Sequence, residues 1–297
     1  MKKKLKWLIV GGAGYIGSHV SRCFKDNGLE IVIVDNLITG IKERIPNNVQ
    51  FVNLNCRNHE ALKKCIYEHK IDGIVHLAAY KQARESIKDP IKYWDNNLGA
   101  TLGVIKSIED TPVKYLIFSG SCSIYGRCGE VNEESELNPI SPYGWTKFIS
   151  EEIIKNCSSK FNLSFIGLRY FNVIGNDNFP MAHDNSEECL IPSIYKAIKK
   201  KQLPMVFGTN FKTSDGSALR DYIDVRDLSF AHFLAAKHLM DNSKREQAFF
   251  NIGSGKPISV LEVIDCFSKL LSTKISFKDV GRNPADPEKV WANNEKF

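Results

Sequence analysis

The stretch Gly11-Gly12-Ala13-Gly14-Tyr15-Ile16-Gly17 limits the folds open to this chain more than any other. It follows a short apolar run, residues 5–10, suited to a buried parallel strand, and it opens a helical pattern that lasts to about Asn27. A second run, residues 30–34, ends in Asp35-Asn36, about 18 residues past Gly17. Strand, glycine turn, helix and strand-end acid together make a dinucleotide-binding unit. Gly11, Gly14 and Gly17 let the backbone and a helix N-terminus approach a pyrophosphate, and Asp35 accepts from a ribose hydroxyl. An acid at that place, where an arginine would accommodate a 2′-phosphate, favours NAD over NADP.

Strand-like segments continue at residues 49–54, 73–78, 114–119 and 164–170, and helical ones at about 59–69 and 90–108. This alternation predicts an α/β fold of Rossmann type, a doubly wound parallel sheet. Ligands in such sheets sit beyond the strand C-termini. Those ends carry Leu77-Ala78-Ala79-Tyr80-Lys81 and Ser119-Gly120-Ser121-Cys122-Ser123. Their small residues let a flat cofactor lie close, and the hydroxyls of Ser121 and Ser123 can point into the cleft. Pro142 then starts a helix running to about residue 156, so Tyr143 and Lys147 share one of its faces. A phenol titrates near ~10 unperturbed and is a poor base at neutral pH, whereas a nearby ammonium favours the phenolate. The pair reads as a proton-transfer device.

Beyond Asn172 the character changes. Helical patterns near residues 190–200, 225–240 and 259–271 alternate with short extended pieces, and Ser259-Val260-Leu261-Glu262 matches a capping box. The expected division is a dinucleotide domain over residues 1–172 and a smaller α/β substrate lobe over residues 173–297, covering the cleft.

Acidic and basic residues are interspersed, with a net charge of +6, which suits an anionic ligand and carries no nucleic-acid signature. The basic start, Met1-Lys2-Lys3-Lys4, is followed by too short an apolar run for a signal peptide, and no window is long and apolar enough to span a membrane. The 8 cysteines include no CxxC pair and have no histidine at ligand spacing. They read as reduced thiols in a cytoplasmic protein with neither disulfides nor a metal site.

With these residues in view, the chain resembles the extended short-chain dehydrogenase/reductase superfamily and, within it, the UDP-galactose 4-epimerase family. The resemblance covers nearly the whole length. It rests on the glycine turn with Asp35-Asn36-Leu37, on His76-Leu77-Ala78-Ala79-Tyr80-Lys81, on Tyr93-Trp94-Asp95-Asn96-Asn97, on residues 141–147 and on Leu168-Arg169-Tyr170-Phe171-Asn172. Most specific is Asp215-Gly216-Ser217-Ala218-Leu219-Arg220-Asp221-Tyr222-Ile223-Asp224-Val225-Arg226-Asp227-Leu228, and Asn251-Ile252-Gly253-Ser254-Gly255 matches a further family turn. The resemblance implies an epimerase that inverts C4 of a UDP-hexose through a 4-keto intermediate on tightly held NAD. Tyr143 would take the proton from the 4-hydroxyl, Lys147 would hold the nicotinamide ribose and depress the tyrosine pKa, and Ser121 would place the reacting oxygen. Gly11, Gly14, Tyr15, Ile16, Gly17, Asp35, Asn36, Leu77, Ala78, Lys81, Asn96 and Tyr170 would join Tyr143 and Lys147 in holding the cofactor. Asn172, Phe207, Arg220 and Asp286 would join Ser121 and Tyr143 in holding the UDP-sugar, and the family's frequent dimers imply a homodimer.

The chain departs from the family pattern in several places. Asn55-Cys56 stands where an acid faces adenine, Trp145 replaces a lysine or small polar residue, and Cys189 replaces an asparagine at the diphosphate. Asn283 aligns with the usual diphosphate arginine, with Arg282 adjacent as a substitute, and Val290 at the sugar pocket suggests room for an N-acetyl group. The sequence given stops at Phe297 where the family continues for a few helices, which predicts exposed apolar surface on the second lobe. Two other readings follow. A nucleotide-sugar 4,6-dehydratase shares the Tyr-Lys pair but needs an Asp-Glu pair after the strand ending at Ser119, and Ser121-Cys122-Ser123-Ile124 has none. An NAD-binding regulatory or scaffold protein without turnover would tolerate Cys189 and Asn283.

Overall fold

The computed structural model describes residues 5–127, 129–179, 183–186, 188–242, 244–284 and 286–297. Aliphatic runs form the centre of a parallel sheet: β1 (Lys6–Val10), β2 (Glu30–Asp35), β3 (Gln50–Asn53), β4 (Gly73–His76), β5 (Tyr115–Ser121), β6 (Ser164–Tyr170) and β7 (Gln247–Ile252). Their order is β7-β6-β5-β4-β1-β2-β3. After β3 the chain crosses to the other side of β1, so the order reverses between β1 and β4, and a crevice opens there at the strand C-termini. Period-two alternation loads both faces of the sheet. Leu8 and Val10 pack in one core with Val32, Leu62, Ile66 and Phe118. Trp7 and Ile9 pack in the other with Phe24, Ile33, Leu228 and Ala235. A fully buried aliphatic side chain contributes about 1.5–3 kcal/mol, so both helical layers are held to the sheet by such residues.

Local signals decide where the helices begin. The Pro142–Ser158 helix starts with proline in its first turn, and its N-cap Ser141 accepts from the Gly144 N–H at 3.1 Å. The Val260–Leu270 helix has the capping box its sequence predicts. The helix expected over residues 90–108 instead contains a π-turn at Trp94–Leu98, between Pro90–Tyr93 and Gly99–Ile108. That extra residue per turn turns Asn97 inward, a device common near functional sites.

A second sheet joins Pro257–Ser259, Leu219–Asp224, Lys289–Ala292 and Glu130–Val131, while Asn172–Ile174 pairs with the far end of Leu219–Asp224. The two lobes are therefore interleaved, and a single cut at residue 172 does not describe them. Glu130–Val131, from the first half, pairs with Trp291–Ala292. The Val225–Asp241 helix and β7, from the second half, complete the parallel sheet and its second core. Two strands and a helix supplied from separate parts of the chain thus tie the lobes together. On the second lobe Leu203, Met205, Leu270 and Leu271 are exposed. Among the described residues no helix is long and apolar enough to cross a membrane.

Candidate active site

A cavity of about 1600 Å³ opens at the crevice between β1 and β4 and runs under the second lobe. Its floor is the glycine turn. Gly11 has φ +87°, and a Cβ there would lie 2.7 Å from the Ala78 backbone nitrogen; one on Gly17 would lie 2.1 Å from the Gly11 carbonyl oxygen. Only glycine fits either place. The cradle brings the N-terminus of the Tyr15–Asp26 helix, capped by Gly14 without a side chain, to the cavity wall. At the end of β2, Asp35 is buried; its Oδ2 accepts from the Ala13 N–H at 3.0 Å and its Oδ1 from the Leu37 N–H at 2.8 Å. Burial pushes its pKa up and these backbone donors oppose the rise. Each carboxylate oxygen keeps a lone pair for a further donor. A backbone cradle that admits no Cβ, a helix N-terminus and a strand-end carboxylate together fit a dinucleotide.

The other expected cofactor residues line the same cavity: Tyr15, Ile16, Asn36, Leu77, Ala78, Lys81, Asn96 and Tyr170. Several have partners the sequence does not announce. Lys81 Nζ is paired with Asp184 Oδ2 at 2.8 Å and lies 5.5 Å from the centre of the Tyr15 ring. Burial raises the Asp184 pKa, but Lys81 and the Ser186 N–H outweigh it and hold the carboxyl low. The Tyr15 hydroxyl donates to the Gly175 carbonyl at 2.6 Å. The Tyr170 hydroxyl is hydrogen-bonded to His232 Nε2.

At the inner end stand Ser121, Tyr143 and Lys147. Tyr143 is buried, and the Ser121 hydroxyl hydrogen-bonds its phenol oxygen. Ser121 Oγ also accepts from the Ser123 N–H at 3.2 Å, which fixes the hydroxyl. Lys147 Nζ donates to the Ser119 carbonyl at 2.7 Å, near the Phe118 ring. Burial pushes the Tyr143 pKa up to about 12, and Ser121 is the group that pulls against it. Burial also brings Lys147 down to about 8, with Glu151 opposing. The expected depression of the Tyr143 pKa by Lys147 is thus replaced by a rise, because desolvation dominates.

The helix bearing this pair is pinned from below. Asn97, on the π-turn, donates to Thr146 Oγ1 at 3.0 Å while bonding both the N–H and the C=O of Tyr80. Thr146 Oγ1 in turn donates to the Tyr143 carbonyl at 2.7 Å. One helical turn past Lys147, the buried Glu151 pairs with Arg169 at 2.9 Å. The inward turn of Asn97 has no signal in the residue pattern, since a regular helix would aim it elsewhere.

Asn172, Phe207, Arg220, Asp286 and Val290 also line the cavity. Arg220 Nη2 lies 3.9 Å from Asp286 Oδ1, and burial lowers the Arg220 pKa. Cys189 lines the wall as a half-buried thiol bonded to Ser186 and Asp184, its pKa raised by desolvation. Arg282 does not line the cavity; its Nε donates to Asn210 Oδ1 at 2.7 Å and its guanidinium lies over Phe211. It therefore does not stand in for the arginine that Asn283 replaces. Arg84, which nothing in the sequence singles out, does line the cavity. Trp145 is 40% exposed and packs on Phe148, on the outer face of the helix.

The sequence is similar to known proteins over nearly its full length. It is 35% identical over 303 residues to the UDP-glucose 4-epimerase of Lactobacillus helveticus, covering 98% of this chain and 89% of that protein. The crystal structure of UDP-glucose 4-epimerase from Brucella ovis in complex with NAD superposes with a TM-score of 0.90 at 31% identity, covering 98% and 90% of the two chains. The UDP-Glc/GlcNAc 4-epimerase of Campylobacter jejuni superposes with a TM-score of 0.83 at 34% identity, covering 98% and 91%. Residues 7–253 match the family model described as the NAD dependent epimerase/dehydratase family, and the chain belongs to that family.

Proposed function

We propose that this chain inverts the configuration at C4 of a UDP-hexose through a 4-keto sugar, using NAD held in the glycine cradle. The observation that carries this reading is the meeting of Ser121, Tyr143 and Lys147 at the inner end of a cavity whose floor admits a dinucleotide. Bound NAD supplies the hydride acceptor and a positive charge. Asp35 would accept from a ribose hydroxyl of that cofactor, and Lys147 would hold its nicotinamide ribose. Tyr143, as phenolate, takes the proton of the 4-hydroxyl and returns it when the keto sugar is reduced from its other face, so no net proton is lost. Ser121 donates to the reacting oxygen and limits where it can lie. Because burial pushes the phenol up to about 12, Ser121 and the incoming charges must bring it down for this step.

In this reading the UDP-sugar lies against Asn172, Phe207, Arg220 and Asp286. Val290 is 3% exposed and pairs with Arg220 in register, a small side chain that leaves room for an N-acetyl group. The first half of the chain supplies most of the cofactor cradle, and the second half adds Phe207, Arg220 and Asp286 to Asn172 on the sugar side. Trp145 and Leu102, both exposed on adjoining helices, present the face through which two copies pair. Buried thiols such as Cys56, pushed up to about 12, suit a reducing cytoplasm.

The test is to incubate purified protein with UDP-galactose and then with UDP-N-acetylgalactosamine, and to resolve the products by chromatography. The C4 epimer should form without added NADH. A 4-keto-6-deoxy product would show a dehydratase instead, and NAD-loaded protein that turns over neither sugar would sink the proposal.

A further inference from the structure

Arg84 stands on the short helix Ala83–Lys88 and lines the same cavity as Arg220. Its guanidinium carbon lies 4.0 Å from the centre of the Phe207 ring. Nη2 donates to the Glu188 carbonyl at 2.9 Å, and among the described residues Arg84 makes no other hydrogen bond and no ion pair. Stacking occupies the face of a guanidinium and leaves its edge donors free to fork onto an anion. Arg84 is also close enough that its charge adds to burial in lowering the Arg220 pKa. Two guanidiniums therefore line one cavity within electrostatic reach of each other, and the Asp286 carboxylate lies 3.9 Å from Arg220. Like charges gathered out of water destabilise the protein unless an anion joins them.

We propose that Arg84 and Arg220 grip the diphosphate of the UDP-sugar between them, with Phe207 setting the plane of the Arg84 fork. This rests on the UDP-sugar reading above. A diphosphate in a cavity carries about two negative charges, and Asp286 already offsets part of Arg220, so a second cation is needed to balance it. Arg282 is turned onto Asn210 and Phe211 outside the cavity. Arg84 is the arginine placed to supply that charge.

Binding of UDP and of uridine to the purified, NAD-loaded protein, followed by calorimetry, separates the phosphate contribution from that of the base. Arg84→Gln should weaken UDP binding by about tenfold to a hundredfold and leave uridine binding unchanged. Arg84→Lys, which keeps the charge but loses the fork, should fall between. In turnover, KM should rise with kcat little altered. If UDP affinity is unchanged in Arg84→Gln, or if UDP and uridine weaken together because Phe207 has lost its support, the assignment is overturned. Wild-type protein that binds no UDP would overturn the UDP-sugar reading along with it, an outcome distinct from either.

Discussion

Lys147 Nζ is anchored on the Ser119 carbonyl at 2.7 Å, two residues before the Ser121 hydroxyl that bonds Tyr143. The end of β5 thus holds both members of the pair, and burial sets both of their pKa values. Tyr143 is driven toward its neutral form from above, Lys147 from below, to about 12 and about 8. The fold stores an unfavourable ammonium there, which has a measurable consequence.

Lys147→Met should abolish most turnover while leaving stability at pH 7 equal to or above wild type. Lys147 titrates at about 8 folded against 10.5 unfolded, so between those values the unfolded chain binds more protons. Stability then rises with pH from about 8 to about 10.5, by roughly 3 kcal/mol, and below about 8 the whole cost is present. Methionine fills the space without the charge, at the cost of one hydrogen bond to Ser119 worth about 1 kcal/mol. Urea unfolding of both proteins from pH 7 to 10.5 checks this. A variant several kcal/mol less stable at pH 7, or a wild type whose stability is flat over that range, would refute it.

Tyr143→Phe should keep the fold and the bound NAD and lose about a thousandfold or more in turnover, the scale of a positioned proton-transfer group together with its placement. Ser121 Oγ retains the Ser123 N–H as a partner in that variant, so the loop should not collapse. Ser121→Ala should cost less, about tenfold to a hundredfold. Near-normal turnover by the Tyr143 variant would place the base elsewhere.

Acid should destabilise the protein from about pH 6.5 downward through two histidines. Burial lowers His76 to about 3, with Lys147 adding to the effect, and lowers His232 to about 4 against an opposing bond to Leu228. Both are neutral in the native state, and the unfolded chain binds their protons first. Stability is therefore present above 6.5 and lost as pH falls toward 4 and then 3, at about 1.4 kcal/mol per pH unit for each group. Unfolding curves between pH 7 and 4.5 for wild type and His232→Gln should differ in slope by one such group. Parallel curves would remove His232 from the account.

Much of this arrangement is legible in the residue order because it depends on near neighbours. Pro142 and Ser141 start the Tyr143 helix, Ser259 and Glu262 cap the last long one, and the glycine turn announces the cradle. What escapes the sequence depends on distant partners. Glu130–Val131 is a two-residue strand with no periodicity of its own, and only Trp291–Ala292 makes it one. The Lys81–Asp184 pair and the Arg84–Phe207 stack join residues more than a hundred positions apart. The direction of the Tyr143 shift was hidden for the same reason, since spacing reveals Lys147 but not the depth of burial.

Gly17→Ala tests the cradle itself. Ala13, between the turn's glycines, is already buried, and the Gly11 carbonyl sits 2.1 Å from where a Gly17 Cβ would be. No L side chain can enter without moving the backbone that faces the cavity, and the obstacle is main chain rather than the end of a flexible side chain. Gly14 is different: a Cβ there would meet the Gly11 carbonyl oxygen at 3.3 Å, a contact that a small shift relieves. Gly17→Ala should therefore release NAD during purification, with a loss of about 2 kcal/mol or more of stability from the displaced turn, whereas Gly14→Ala should retain part of the cofactor. NAD content read from the absorbance of acid-released cofactor, beside unfolding curves for each variant, distinguishes the two. Equal retention by both would mean that the closeness of Gly17 to Gly11 is not what shapes the site.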